Sequence, residues 1–226
     1  MELKNFNLDS EVIEFGYDKV YIIGYAGRDI KKTQEHIDEL ERELGVKPPK
    51  KIPTIFECSK ELVTQNIDLK FVDDMTSGEC EYVILKKNNS IYIALGSDHT
   101  DRKLESVSVP KSKQVCLKPI SKDVWNYDHI KDHWDEIELR SYVTIDDKEI
   151  EYQAGTLKDI LPVETILSEL ENRIGNVDNA IIFSGTVPLK NNFVYGSRFR
   201  SEMIDKKLNK KIDLNYKISV ISEEER

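Results

Sequence analysis

The chain has 226 residues, of which 33 are Lys or Arg and 42 are Asp or Glu, so its formal net charge is −9. This acidic balance argues against a nucleic-acid partner, because phosphate binding requires a surplus of Lys and Arg on one face. A hydrophobic content of 39% is enough for a packed core and argues against disorder. No apolar run reaches the roughly 18 residues that a membrane span needs, so no membrane partner is expected.

The cysteines and the first residues bear on the compartment. Cys58, Cys80 and Cys116 are odd in number and far apart, which favours neither a disulfide framework nor a zinc site. Residues 1–5 lack the basic-then-apolar pattern of a signal peptide. We therefore expect a cytoplasmic protein.

Hydrophobic periodicity predicts more strands than helices. Residues 18–25 are rich in β-branched and aromatic residues, which predicts a buried strand. From Ile30 the apolar residues recur at helical spacing until Gly45, which predicts a helix. Because helices lie between groups of strands, the pattern indicates an α+β fold. Further helices are predicted at 122–134 and 162–173, and further strands at 67–73, 79–85, 90–95, 104–109, 137–145, 149–153, 179–184, 199–204 and 214–221.

Two glutamates at the start of the predicted 79–85 strand are the first candidates for a site. Side chains alternate between the faces of a strand, so Glu79, Glu81 and Val83 share one face. Both faces carry apolar residues, which predicts that the strand is covered on both sides. Two carboxylates in a covered site repel each other and lose hydration, and a divalent cation with oxygen ligands compensates for both effects. Alternatively, both glutamates are exposed beside the Gly78 turn.

A polar segment, residues 96–102, directly follows the apolar strand at 90–95. Functional side chains are often placed where a strand ends. Either Asp98 or Asp101 could complete a shell of three carboxylates with Glu79 and Glu81. The alternative is a turn rich in Ser and Asp in which His99 is exposed.

His36 and Glu39 lie three residues apart in the first predicted helix and are therefore neighbours on its surface. An imidazole oriented by a carboxylate is a common general-base arrangement. The alternative is a solvated pair on a charged helix.

Two later segments could bind an anion. Lys113, followed by Gln114, could hold a substrate carboxylate or a developing oxyanion if it points into the acidic site. The alternative is a solvated basic loop. Gly185 and Thr186 follow the predicted 179–184 strand and could offer backbone N–H groups and a hydroxyl. Most Gly-Thr turns have no such role.

Taken in chain order, these segments form a definite series. The series runs through Gly24-Tyr25 at the end of a strand, His36-x-x-Glu39, Pro53-Thr54-Ile55-Phe56, Glu79-x-Glu81, Ser97-Asp98, Lys113 and Gly185-Thr186. It resembles the fumarylacetoacetate hydrolase superfamily from about residue 20 to about residue 220. The segments Gly-Ser-Asp-His-Thr-Asp-Arg and Ser-Lys-Gln-Val-Cys-Leu-Lys-Pro further resemble a bacterial branch of unknown function related to that superfamily.

The resemblance implies a single catalytic domain over 1–226, with a lead-in of about 1–17, built as a mixed β-sheet roll with peripheral helices. It implies a site for Mg²⁺, Mn²⁺ or Ca²⁺ and a small substrate with a 2-oxo acid or 1,3-dicarbonyl unit. It also implies a homodimer, because members of the superfamily commonly pair. The implied residue roles are metal ligation by Glu79, Glu81 and Asp98, with Asp101 as competitor; catalysis by His36, Glu39 and Lys113; and substrate binding by Gly185, Thr186 and Gln114.

The chain also departs from the superfamily pattern. The segment between Glu81 and Asp98 is shorter than usual, and the aspartate loop reads Ser-Asp-His-Thr-Asp-Arg rather than Asn-Asp-x-Ser-x-Arg-Asp. Gly-Thr-Val-Pro stands in place of Gly-Thr-Pro. These differences bear on the substrate and the reaction.

The leading hypothesis is a metal-dependent hydrolase or lyase that cleaves a C–C bond in an acylpyruvate-type substrate. A close alternative keeps the metal and omits the water step, giving an oxaloacetate-type decarboxylase or a keto–enol tautomerase. An alternative of another class is a metal- or metabolite-binding protein without turnover.

Overall fold

The computed structural model describes residues 1–44, 47–190 and 192–221, and it describes the backbone but not the side chains of residues 36, 39, 40, 43 and 44. Over these residues the chain forms strands β1 to β16 and helices α1 to α4, with short 3-10 turns between them. The helices are α1 Ile30–Leu44, α2 Arg102–Glu105, α3 Val109–Gln114 and α4 Val163–Ile174. The strands are β1 Glu2–Leu8, β2 Glu11–Tyr17, β3 Lys19–Gly24, β4 Thr54–Cys58, β5 Val63–Thr64, β6 Asp68–Val72, β7 Thr76–Ser77, β8 Cys80–Lys87, β9 Ser90–Ser97, β10 Thr100–Asp101, β11 Lys118–Asn126, β12 Glu138–Ile145, β13 Lys148–Thr156, β14 Ala180–Thr186, β15 Arg198–Asp205 and β16 Lys210–Ile221.

The larger sheet is curled into a roll. Over the described part of the chain it has nine strands in the order β2-β1-β11-β9-β8-β14-β3-β4, with β5 beside β11. Parallel pairs such as β14 with β3 occur beside antiparallel pairs such as β8 with β9, so the sheet is mixed. Phe6 and Phe15 from one end of the sheet join Ile22 from the other end and Val83 from the middle in one buried cluster. Since every buried member of that cluster comes from this sheet, its concave face packs against itself.

A second sheet covers the opposite face of the roll. Its strands run β13-β12-β15-β16-β6 among the described residues. Ile84 of β8 packs in one buried cluster with Met203 of β15 and Ile212 of β16. Ile166 and Leu170 of α4 complete this cluster, so the helix lies on the outside of the roll. Strand β8 is therefore covered on both sides, as its composition predicts.

The predicted α+β class, with a mixed sheet and peripheral helices, is confirmed. The predicted helix from Ile30 and the helix at 162–173 are also confirmed. The predicted strands at 79–85 and 90–95 pair as an antiparallel hairpin that turns at Asn88 and Asn89. The lead-in at 1–17 is a β-hairpin of the larger sheet. No helix in the described part of the chain has the length and apolar character needed to cross a membrane.

Two predicted elements are wrong. The predicted strand at 104–109 is instead the end of α2 and the turn before α3, because the side chain of Asp101 accepts from Leu104 N and Pro110 lies in the first turn of α3. The predicted helix at 122–134 is instead the end of β11 followed by 3-10 turns. There β11 pairs with β9 and β1, and this sheet pairing overrides the local helical pattern.

The central position of β8 gives a stability prediction. Ile84 is 0% exposed, and Ile84→Ala should lower the free energy of unfolding by about 2–5 kcal/mol. Ile67 is 66% exposed, and the matched control Ile67→Ala should change it by less than about 0.5 kcal/mol. Urea unfolding followed by circular dichroism measures both values. Equal losses in the two variants would contradict this account of the core.

Candidate metal centre

Four strand ends meet at one edge of the larger sheet. Cys80 at the start of β8 pairs with Ser97 at the end of β9. The last residue of β14, Thr186, pairs with Glu81. The first residues of β11 lie beside the end of β9, where Ile120 pairs with Gly96. The register therefore brings segments that are distant in the sequence to the same edge.

Three carboxylates converge at this edge. Glu79, Glu81 and Asp98 each offer an oxygen atom, and these three atoms all lie within 4.8 Å of one another. Glu81 is 2% exposed and Asp98 is 1% exposed. The alternative in which both glutamates lie exposed at a strand start is therefore wrong for Glu81.

Two lysines balance the charge of Asp98. The Nζ atom of Lys113 lies 2.6 Å from Asp98 Oδ2, and that of Lys118 lies 2.9 Å from Asp98 Oδ1. Lys118 also donates to the backbone oxygen of His99 at 2.6 Å. Burial by itself would raise the pKa of Asp98, but the two ammonium groups outweigh it and hold that pKa below its usual range. Asp98 is therefore a buried, ionised carboxylate.

Among the described residues, no lysine or arginine forms an ion pair with Glu81. Burial, followed by the charges of Asp98 and Glu79, raises the pKa of Glu81 well above its usual range. The backbone amide of Gly185 opposes this shift only in part, and Oε2 has no hydrogen-bond partner among the described residues. Gly185 has φ +92, and an added Cβ there would lie 2.8 Å from the Cβ of Ala26, so a glycine is needed at this approach.

These features fit a hard divalent cation. The three convergent side chains offer oxygen ligands, which Mg²⁺, Mn²⁺ and Ca²⁺ prefer. An unpartnered buried oxygen on Glu81 and the mutual repulsion of three carboxylates are both relieved by positive charge at this point. Glu79, Glu81 and Asp98 therefore form a buried acidic triad that could bind a metal.

An arginine and a fourth carboxylate extend the cluster. Arg102 lies 3.1 Å from Glu79 Oε1 through Nη2 and 2.8 Å from Glu105 Oε2 through Nη1, and its Nε donates to Ser77 Oγ at 2.7 Å. The guanidinium also lies 4.3 Å from the ring centre of Phe193. Burial alone would lower the pKa of Arg102, but Glu79 and Glu105 raise it. These contacts fix its position.

The structure separates the two aspartates of the 96–102 segment. Asp98 joins the acidic triad, whereas Asp101 Oδ1 accepts from Leu104 N at 2.8 Å and caps helix α2. His99 is 0% exposed, so the interpretation of this segment as a turn with an exposed histidine is wrong. Its ring nitrogens lie 2.9 Å from Tyr216 Oη and 2.9 Å from Thr76 Oγ1, which leaves neither nitrogen for a metal.

The remaining predicted site residues fall in different places. Lys113 lies in the cluster and is 6% exposed, so it is not part of a solvated loop. The hydroxyl of Thr186 donates to Cys80 O at 2.6 Å and accepts from Gln153 Nε2 at 2.7 Å. Gln114 is exposed and contacts Ser59, with Nε2 donating to Ser59 Oγ at 2.7 Å and Oε1 accepting from Ser59 N at 3.1 Å.

The proposed dyad of His36 and Glu39 cannot be placed in the same way. Both residues belong to helix α1, but their side chains lie outside the described residues. Their roles remain predictions from the sequence.

Sequence reasoning missed three charged residues of the cluster. Arg102 lies four residues after Asp98, and Glu105 follows Arg102 by three residues, but the local pattern predicts a role for neither. Lys118 lies between Leu117 and Pro119 in an otherwise apolar stretch. A single lysine in such a stretch is a usable signal, because it is buried only when a carboxylate pairs with it.

The sequence matches one protein family, and the structure matches several enzymes of known structure. Residues 23–216 match the family described as "Protein of unknown function (DUF2848)". The chain belongs to this family. No curated protein matches the sequence.

Several enzymes of known structure share this fold. A 2-keto-3-deoxy-D-arabinonate dehydratase complexed with magnesium and 2,5-dioxopentanoate is 14% identical, with a TM-score of 0.62 over 95% of this chain and 78% of that chain. A fumarylpyruvate hydrolase from Pseudomonas aeruginosa, in complex with Mn²⁺ and pyruvate, is 14% identical. Its TM-score is 0.63 over 99% of this chain and 97% of that chain. A 4-oxalocrotonate decarboxylase from Pseudomonas putida G7, complexed with calcium and acetate, is 10% identical. Its TM-score is 0.55 over 91% of this chain and 78% of that chain. The fold is that of the fumarylacetoacetate hydrolase superfamily, as the motif order implies.

The acidic triad gives a prediction about metal binding. Glu81→Ala removes one ligand, and we expect it to abolish the heat of Mn²⁺ or Mg²⁺ binding that titration calorimetry measures on the wild type. The wild type should gain about 2.7 kcal/mol of stability at a metal concentration of about 100 times Kd, and the variant should not. Glu14→Ala, at an exposed position on β2, is the control. Equal binding by wild type and Glu81→Ala would overturn the assignment.

Lys118 gives a second prediction. It is 0% exposed, and Lys118→Met leaves Asp98 with only Lys113 as a partner, so the free energy of unfolding should fall by about 3 kcal/mol. Lys122→Met, at an exposed position on the same strand, should change it by less than about 0.5 kcal/mol. Chemical unfolding of both variants without added metal measures the difference. Similar stabilities would show that Asp98 does not need its second ammonium group.

Proposed function

We propose that this protein is a metal-dependent C–C hydrolase or lyase that acts on a small 2-oxo acid or 1,3-dicarbonyl compound. The observation that carries the proposal is the buried triad of Glu79, Glu81 and Asp98 with the Lys113 ammonium directly beside it. Structures with this fold include a hydrolase, a dehydratase and a decarboxylase of oxo acids, which supports the same class of substrate.

The triad would hold Mg²⁺, Mn²⁺ or Ca²⁺, the ions bound in those three complexes. When bound, such an ion supplies a Lewis acid that polarises the oxygen atoms of the 2-oxo carboxylate. Glu79, Glu81 and Asp98 set its position through the strand register that joins β8 and β9. Burial of Glu81 and Asp98 keeps bulk water away from this point, which strengthens every charge interaction there.

Lys113 would act on the charge that develops in the substrate. Burial by itself would lower its pKa, but the carboxylates of Asp98, Glu79 and Glu105 outweigh burial and raise that pKa above its usual range. The ammonium therefore stays charged, and Thr100 Oγ1 at 3.2 Å helps to fix it. A fixed cation that can donate a hydrogen bond stabilises an oxyanion, which is the role that the sequence assigns to Lys113.

The water step would belong to His36 and Glu39. In this proposal the imidazole of His36 takes a proton from water, and Glu39 holds the ring in the required tautomer. Gly185 and Thr186 would bind the substrate through their backbone N–H groups, since the hydroxyl of Thr186 already bonds Cys80 and Gln153. The substrate contact of Gln114 stays a prediction; its amide bonds Ser59 through Oε1 and through one N–H of Nε2.

A decarboxylase or tautomerase is the second candidate, and the shared fold of the 4-oxalocrotonate decarboxylase supports it. This reaction uses the same triad and lysine without the attacking water. The His36–Glu39 pair therefore distinguishes the two reactions.

The proposal is tested on acylpyruvates and oxaloacetate with Mg²⁺ or Mn²⁺, by the loss of the ultraviolet absorbance of the enol. We expect metal-dependent loss of absorbance with the wild type, and none with Glu81→Ala. A wild type that binds metal but turns over none of these compounds would favour a binding protein without catalysis.

His36→Ala tests the water step. A general base contributes a factor of about 10² to 10⁴, so kcat should fall by that amount while the calorimetric affinity for Mn²⁺ stays nearly unchanged. Glu39→Gln should cause a partial loss, because the ring keeps a hydrogen-bond partner but loses the charge that stabilises imidazolium. Two silent substitutions in an active enzyme would refute a water step through this dyad and favour the decarboxylase or tautomerase.

A further inference from the structure

Cys80, the residue between the two glutamates of the triad, is bonded by side chains from two other strands. Its backbone N–H donates to Gln153 Oε1 at 3.0 Å, and its carbonyl oxygen accepts from the hydroxyl of Thr186 at 2.6 Å. Gln153 Nε2 in turn donates to Thr186 Oγ1 at 2.7 Å. These three hydrogen bonds form a closed cycle, and we call Cys80, Gln153 and Thr186 together the Gln153 network.

Side chains make these bonds at a point where the ladder between β8 and β14 is interrupted. Phe183 pairs with Val83. The next pair in register is Thr186 with Glu81, so β14 carries one extra residue there. A bulge of this kind disrupts the backbone ladder and is common beside functional sites. The Gln153 network therefore takes over from the ladder next to the triad.

The amide of Gln153 is buried and fully hydrogen-bonded. Gln153 is 0% exposed, and besides the network bonds its Oε1 accepts from Ser141 Oγ at 2.9 Å and its Nε2 donates to Val187 O at 2.8 Å. The hydroxyl of Thr186 gives its one proton to Cys80, so it must accept from Gln153. Because the N–H of Cys80 also needs an acceptor, only one orientation of the amide satisfies both groups. The network therefore has a single arrangement of donors and acceptors.

The neighbouring backbone groups of the same segment are bonded to the end of β9. Glu79 N donates to Ser97 Oγ at 3.2 Å, and Asp98 N donates to Glu79 O at 3.2 Å. The segment 79–81 is therefore tied to the third carboxylate of the triad through β9 and to β13 and β14 through the Gln153 network. Since the network holds the residue between Glu79 and Glu81, it acts on both glutamates at once.

We propose that Gln153 and Thr186 are positioning residues of the metal centre, which hold Glu79 and Glu81 at the separation that one divalent cation requires. The inference rests on the proposed function in one respect, namely that the triad binds a divalent cation. It gives the Thr186 hydroxyl a role other than substrate binding, which leaves only the backbone of Thr186 for the substrate.

Thr186→Val tests this role, because it keeps the shape of the side chain and removes the hydroxyl. It leaves Cys80 O and one N–H of Gln153 without their partner. Groups that orient metal ligands contribute about 10- to 100-fold to metal affinity, so the Kd for Mn²⁺ should rise by that factor. Titration calorimetry in the absence of any oxo acid measures this Kd. Thr186→Ser keeps the hydroxyl and should retain most of the wild-type affinity.

Electron paramagnetic resonance of bound Mn²⁺ adds a readout that a loss of stability alone would not alter. A displaced glutamate changes the symmetry of the ligands, so the spectrum of Thr186→Val at saturating Mn²⁺ should differ from that of the wild type. The spectrum of Thr186→Ser should match the wild type. Thr54→Val is the matched control, because Thr54 is also half-buried and its hydroxyl donates to Lys51 O at 3.0 Å. It should leave both the Kd and the spectrum unchanged.

Gln153→Met tests the network from its other member, since methionine has a similar length and no amide. It should also weaken Mn²⁺ binding by about 10- to 100-fold. The double variant with Thr186→Val should bind no more weakly than Gln153→Met alone, because that substitution already opens the cycle. Additive losses would show that the two residues do not act as a unit. Thermal melting without metal shows which variants are folded, and Thr186→Val decides the inference if Gln153→Met is not.

The outcomes separate this inference from the function on which it rests. An unchanged Mn²⁺ Kd in folded Thr186→Val overturns the inference and leaves the proposed function intact, and weaker binding of an oxo acid alone would assign the hydroxyl to the substrate. Equal losses of affinity in Thr186→Val and Thr54→Val also overturn it, since any lost hydroxyl bond would then have the same effect. A wild type that binds no Mn²⁺ refutes the metal site, and with it both the proposed function and this inference.

Discussion

The ion pairs between Asp98 and its two lysines are the interaction on which the site depends. A carboxylate that is 1% exposed cannot stay ionised in an apolar interior unless positive charge lies beside it. Lys113 and Lys118 supply that charge at 2.6 and 2.9 Å. Because Lys118 is itself 0% exposed, each member of this pair is buried only on account of the other.

This arrangement makes the acidic triad possible. Asp98 can be brought next to Glu81 only because its own charge is already compensated, whereas Glu81 has no such ammonium partner and keeps an unpartnered oxygen among the described residues. The negative charge of Asp98 is therefore compensated, whereas that of Glu81 is not. A divalent cation would compensate the charge of the Glu81 carboxylate. Buried charges without compensation are common at functional sites.

The second sheet fixes the site from behind. Tyr216 of β16 bonds Ser97, the last residue of β9, and His99, two residues beyond it. Gln153 of β13 bonds the backbone N–H of Cys80 and the hydroxyl of Thr186. These buried polar groups are hydrogen-bonded across the two sheets, so the strand ends that carry the triad are held in one arrangement. Rigid support of this kind lets a site keep three like charges close together.

The sequence by itself determined the fold class, most of the strands and the order of the candidate segments. Alternation along 79–85 was sufficient to place Glu79 and Glu81 on one face of a covered strand, since the period of a strand is local. It could not decide whether 104–109 is a strand, because Ser and Val alternate there while the cap at Asp101 selects helix α2. It also could not choose between Asp98 and Asp101, or find the pairing of Lys118 with Asp98 and of Arg102 with Glu79. Only the tertiary structure decided these points, because they depend on the register between strands that are far apart in the chain.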